Sequence, residues 1–148
     1  MSGEQFRVVL DTNQIVAAGT GWLDRGQPAP NPNTSRRILI RVAETHLGLY
    51  CGKIVGEYLE KLVDLGHPPR RAVRMMAYIM GAFVRVEIFT EEAPFRPIDL
   101  DDEVFLLCAI DGEANYLVSE DQGLLDLDPN YPDFVIGRSD ELAALLAP

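Results

Sequence analysis

The sequence predicts an α/β fold of three layers, α/β/α, around a mostly parallel central sheet. Three observations predict it. Short apolar runs rich in branched residues alternate along the chain with longer stretches of helical periodicity. A helical segment lies between most successive runs, and parallel strands require such crossovers. The chain has 148 residues, 47% hydrophobic and 24% charged, which suits one domain over 1–148 with a full core.

The first run, FRVVL at 6–10, reads as a buried strand and stops at Asp11-Thr12-Asn13. The stretch 19–35, GTGWLDRGQPAPNPNTS, is dense in glycine, proline and asparagine and reads mostly as loop. Its length points to function or mobility, and Trp22 within it is placed to stack on a base or to pack beneath the loop. Ser35 or Thr34 caps a helix over 36–45. A second strand, LGLYC, covers 47–51. Ile54, Val55, Tyr58, Leu59, Leu62 and Leu65 recur at helical spacing up to Gly66. Pro68 and Pro69 open another helix running to Ala82.

The segment 83–89, FVRVEIF, alternates like a strand. A proline-containing loop leads to Asp99-Leu100-Asp101-Asp102 and a helix over 103–110. Residues 116–118 form a strand, followed by Ser119-Glu120-Asp121 and a helical turn at Leu124 and Leu125. A last strand at 134–136 precedes a helix at 139–146.

Composition narrows the function. No apolar stretch approaches the roughly 20 residues that cross a bilayer, and the polar N-terminus lacks the form of a signal peptide. A cytoplasmic location is the expectation. Cys51 and Cys108 sit among apolar residues and read as reduced, buried thiols. His46 and His67 stand apart and no CxxC spacing occurs, which argues against zinc. The net charge of −10 is unusual for a protein that meets phosphates. A carboxylate site for a divalent cation is acidic by design, however, and the ion inverts the local charge. The arginines cluster as Arg36, Arg37, Arg41 and as Arg70, Arg71, Arg74. Each cluster is either a phosphate-binding patch or an ordinary solvated helix face.

Ligands of open parallel sheets bind beyond the carboxyl ends of the strands. Asp11 follows the first strand directly, and Asp121 follows the 116–118 strand after two residues. Either one alone reads as a turn or helix cap before it reads as a site; the pair points to a site. Asp102 stands at the start of its helix in line with Phe105, Leu106 and Ala109, so its carboxylate faces inward at a helix N-terminus. Asp99 and Asp101 read as its solvated neighbours. Glu57 flanks the apolar stripe of its helix, while Glu60 lies on the far side. Four acids on one sheet edge need a cation. All-oxygen ligation selects Mg²⁺ or Mn²⁺, ions suited to phosphoryl chemistry.

At this point the pattern resembles a known family. VVLDTN at 8–13, LYCGKIVGEYLEKL with Glu57, and DDEVFLLCAIDGEANYLVSED at 101–121 are similar, in order, to the motifs of PIN domains. The resemblance covers roughly residues 6–136. It implies a Mg²⁺- or Mn²⁺-dependent ribonuclease, with Asp11, Glu57, Asp102 and Asp121 on the metal-binding positions. Asn13 and Ser119 fall on polar supporting positions. The greatest similarity is to small bacterial VapC-type toxins, which implies a homodimer, with surfaces on the helices at 36–45 and 70–82, and a cognate antitoxin. Two rivals carry different expectations. A phosphatase acting on small esters also uses an aspartate after the first strand, but usually with a second acid where this chain has Asn13. A binding module would retain the fold and the metal without cleaving RNA.

Overall fold

The structure, a computed structural model, describes residues 3–20 and 33–148. Five strands lie among them: β1 (Arg7–Leu10), β2 (Leu47–Tyr50), β3 (Val84–Arg85), β4 (Tyr116–Val118) and β5 (Val135–Gly137). They form one sheet in the order β3-β2-β1-β4-β5, with every pairing parallel. The helices are α1 (Thr12–Gly19), α2 (Thr34–Thr45), α3 (Gly52–Asp64), α4 (Pro69–Ala82), α5 (Glu103–Asp111), α6 (Gln122–Leu125) and α7 (Ser139–Leu146). The three-layer α/β/α architecture expected from the alternation is present.

The strands are short and apolar because both sheet faces are covered. Val8, Val9, Leu10, Leu49, Leu117 and Val118 are fully buried. The chain steps outward from β1 to β2 and β3, then returns to place β4 on the other side of β1. The direction of winding therefore reverses between β1 and β4. A crevice opens beyond the carboxyl ends of strands at such a reversal. Asp11 and Ser119 are the residues that follow those two ends.

Two local expectations change, and one helix was not foreseen. Asp11-Thr12-Asn13 opens that helix, α1, at once, with Asp11 as its N-cap. The cap of α2 is Asn33, whose side chain accepts from the Arg36 amide at 2.8 Å, one residue before the predicted Thr34 or Ser35. The same side chain donates to the Ala17 carbonyl at 2.7 Å and so ties α2 to α1. The expected strand 83–89 is confined to β3, with one further bond from the Val86 amide to the Tyr50 carbonyl. Beyond it, Asp111 accepts from the amides of Phe89 and Thr90 at 2.8 and 2.9 Å and draws the segment off the sheet edge. Trp22, and most of the loop expected at 19–35, lie outside the described residues.

Of the arginine cluster 36/37/41, Arg36 is withdrawn from the surface, while Arg37 and Arg41 are exposed. Arg36 is 2% exposed, and its Nε donates to the Ala18 carbonyl near the end of α1 at 2.8 Å. Arg37 donates to the Ala147 carbonyl at 2.8 Å. These side chains tie the N-terminal half of α2 to other parts of the fold. His46 does similar work: its Nδ1 accepts from the Phe6 amide and its Nε2 donates to the Leu146 carbonyl, each at 3.2 Å.

Cys51 and Cys108 are free and buried, as expected. They also meet. Hydrogen bonding from Cys108 and from amides opening α3 holds the Cys51 thiol down to about 6, and the same contact pushes Cys108 up. Among the described residues no helix is long and apolar enough to cross a membrane.

Candidate active site

The carboxyl end of β1 delivers Asp11 to the crevice with its main chain already held. Its amide donates to the Val118 carbonyl of β4 at 2.9 Å, which locks the two strand ends together. One carboxylate oxygen, Oδ1, accepts from the Thr12 amide at 2.7 Å. The other, Oδ2, accepts from the Ser119 hydroxyl at 2.7 Å. That hydroxyl in turn accepts from the Asp121 amide at 2.9 Å. Ser119 is fully buried, so it acts beneath the site, orienting Asp11 and the turn that carries Asp121.

Asp121 caps α6, accepting from the Leu124 amide at 3.1 Å. Asp102 ends a single 3-10 turn at Leu100–Asp102 and stands at the N-cap position of α5, its side chain making no capping bond. Its position before Phe105 and Ala109, both buried, turns it toward the strand ends. Glu57 comes from α3, whose placement rests on Tyr58. The fully buried Tyr58 hydroxyl donates to the Leu10 carbonyl, the last of β1. The residue before it is thereby held beside Asp11.

The result is a pocket of about 270 Å³ lined by Asp11, Thr12, Asn13, Glu57, Lys61, Asp99, Asp101, Asp102 and Asp121. All four predicted acids are in it, and so is Asn13. Ser119 lies below. Asp99 and Asp101 are exposed, as solvated neighbours of Asp102 should be, yet both border the same pocket. Lys61 and Thr12 were not foreseen. For Lys61 a signal existed: it stands four residues after Glu57, hence on the same helix face.

Six carboxylates and a single lysine line this space, and the electrostatics show it. Burial, then repulsion from Asp11 and Asp121, pushes the Asp102 carboxyl up to about 7. Burial also raises Asp11, against the lowering effect of its bonds from Ser119 and Thr12, with Asp121 and Glu120 adding repulsion. Glu57 is raised by burial and by Asp101 and Glu60. Among the described residues no three acidic, cysteine or histidine side chains are drawn together closely enough to cage a metal ion. The donor set is nonetheless all oxygen, and each oxygen of the Asp11 carboxylate keeps a free lone pair beyond its one bond. Such a set fits a hard cation that retains part of its water shell.

The PIN domain family model matches residues 7–123. The chain belongs to the PIN domain family. PIN domains are generally nucleases, and such nucleases generally use divalent metal ions. Among solved structures, the PIN chain is similar to VapBC2 from Rickettsia felis bound to a DNA fragment from its promoter. The TM-score is 0.57 and the identity 14%, over 89% of this chain and 98% of that one. At that identity the likeness is one of fold. No curated protein matches the sequence.

Proposed function

We propose that this PIN domain is a Mg²⁺- or Mn²⁺-dependent endoribonuclease, the toxin of a toxin–antitoxin pair, with Asp11, Glu57, Asp102 and Asp121 as its metal-binding and catalytic acids. The observation that carries the reading is the pocket itself, where four acids from four separate segments meet at the winding reversal. Buried like charges are costly unless neutralised. A divalent ion neutralises them and supplies Lewis-acid polarisation of a phosphodiester.

In this reading Asp11 is the central ligand, already oriented by Thr12 and Ser119. Asp102 and Asp121 complete the set directly or through water. Glu57, half-buried on α3, holds a second ion or orients the attacking water. Asn13, exposed at the pocket wall, positions substrate oxygens, and Ser119 holds Asp11 from below. The similarity to VapBC2, a toxin–antitoxin complex, supports an antitoxin partner for this chain. A homodimer is part of the same reading. The helix α4 carries exposed Val73 and Met80, apolar surface suited to that contact.

The test is cleavage of mixed single-stranded and structured RNAs with Mg²⁺ or Mn²⁺, alongside EDTA and Asp11→Asn controls. Cleavage is expected only with metal and with Asp11 intact, the variant remaining folded. Full activity in Asp11→Asn would sink the assignment. Turnover of an aryl phosphate with none of RNA would transfer it to a phosphatase. Metal binding without any cleavage would make the protein a binding module.

A further inference from the structure

The chain contains only two lysines, Lys53 and Lys61. Both are on α3, four residues before and four residues after Glu57. At about 100° per residue each lies within about 40° of Glu57 around the helix, and the two Cα positions are about 12 Å apart along it. Both are exposed. Lys61 lines the carboxylate pocket. Lys53 lines a neighbouring cleft of about 260 Å³ with Gly52, Arg85, Glu87 and Glu103.

Neither ammonium group forms an ion pair among the described residues, although acids surround both. The arginines near the site are engaged elsewhere. Arg85 stands 3.7 Å from Glu87, Arg96 holds Glu92 and Glu103 at 3.0 and 2.7 Å, and Arg138 faces Glu120 at 3.5 Å. An anionic strand entering a pocket with six carboxylates needs cations beyond the metal; Lys61 stands in its lining and Lys53 in the other cleft, on the far side of Glu57 along α3. Lysine suits the task, as a point charge on a flexible stem that follows a phosphate without demanding one planar geometry.

We infer that Lys53 and Lys61 grip two different phosphates of one single-stranded RNA, on either side of the bond held over the carboxylates, so that α3 sets the line of the strand across the site. This deepens the nuclease reading and rests on it for the nature of the ligand. Neither lysine is assigned a bond-breaking role; both are positioning residues.

The test is metal-free binding of a short fluorescent single-stranded oligoribonucleotide, by anisotropy, over a range of salt concentrations. Lys53→Gln and Lys61→Gln are each expected to weaken binding about tenfold and to lower the salt slope by about 0.7. The Lys→Arg variants should restore both quantities. Arg70→Gln, the same change of charge at an exposed position on α4 away from the pocket, should leave the slope almost unchanged. An unchanged affinity and slope in the double lysine variant would overturn the inference, and so would an equal loss in Arg70→Gln. If the protein cleaves RNA while the lysines prove silent, only this inference fails. If it cleaves nothing but binding depends on both lysines, the nuclease reading fails and the strand path stands.

Discussion

Asp11 and Ser119 form the smallest unit of the proposed site. The carboxylate is 3% exposed, and the serine hydroxyl is the one side chain donating to it. Ser119→Ala removes that bond and leaves the Asp121 amide without its acceptor. Cleavage is expected to fall about 10- to 100-fold, the usual cost of losing a ligand's orienting partner. Because the lost bond lowered the Asp11 carboxyl, the acid limb of the pH–rate profile should also move upward; an unmoved limb would deny the serine its orienting role.

Asp102 gives a second expectation at this scale. Its carboxyl ordinarily titrates at 3.8 and is pushed to about 7 in the fold. Between those values the native state holds a proton that the unfolded chain releases. The contribution is therefore present at low pH and is lost as pH rises through 7. Asp102→Asn should raise the melting temperature of the EDTA-treated protein at pH 8 by a few degrees, about 1 kcal/mol after allowing for solvent screening. The gain should shrink toward pH 5. A variant less stable than wild type at pH 8 would show that the repulsion is not felt.

At the scale of elements, the site depends on how α1, α2 and α3 are fastened to β1. Asn33 makes two of the ties, capping α2 and donating to Ala17 of α1. Asn33→Ala should cost about 1–2 kcal/mol by urea denaturation, with an unchanged m-value. No loss would mean that other contacts carry the junction. The sheet itself constrains one glycine by close approach. A Cβ on Gly48 would stand 2.5 Å from the Phe83 ring, so β2 admits the ring that closes α4 only because that position is bare. The alternation in FVRVEIF suggested a longer strand at 83–89 because periodicity reports a pleated, half-buried surface. It does not report the Asp111 carboxylate that captures Phe89 and Thr90 after Arg85.

The whole molecule is acidic, −10 in net charge, and both of its lysines stand on α3 on either side of Glu57. In the proposed reading, RNA would be met where metal and lysine reverse the local sign. The oligomer is the other expectation at this scale. Light scattering should give twice the 16.4 kDa of one chain, and Val73→Asp with Met80→Glu should halve the mass. A wild type that is monomeric at micromolar concentration would remove the dimer from the proposal.

The order of the strands and of every helix but α1 was legible in the sequence alone, as was the gathering of four acids near the strand ends. Apolar period and strand-end position are local properties, and a carboxylate at a strand end has nothing to pack against. The roles of Arg36 and Asn33 were not legible, nor was the meeting of Cys51 with Cys108, and the spacing that puts Lys61 on the face of Glu57 did not by itself place it in a pocket. Arg36 reads as a surface charge until the end of α1 supplies a buried carbonyl for it. Lys61 reads as helix surface until the Tyr58 hydroxyl seats α3 against Leu10. Which polar groups face one another is set by how elements pack, and packing is decided by contacts between residues far apart in the chain.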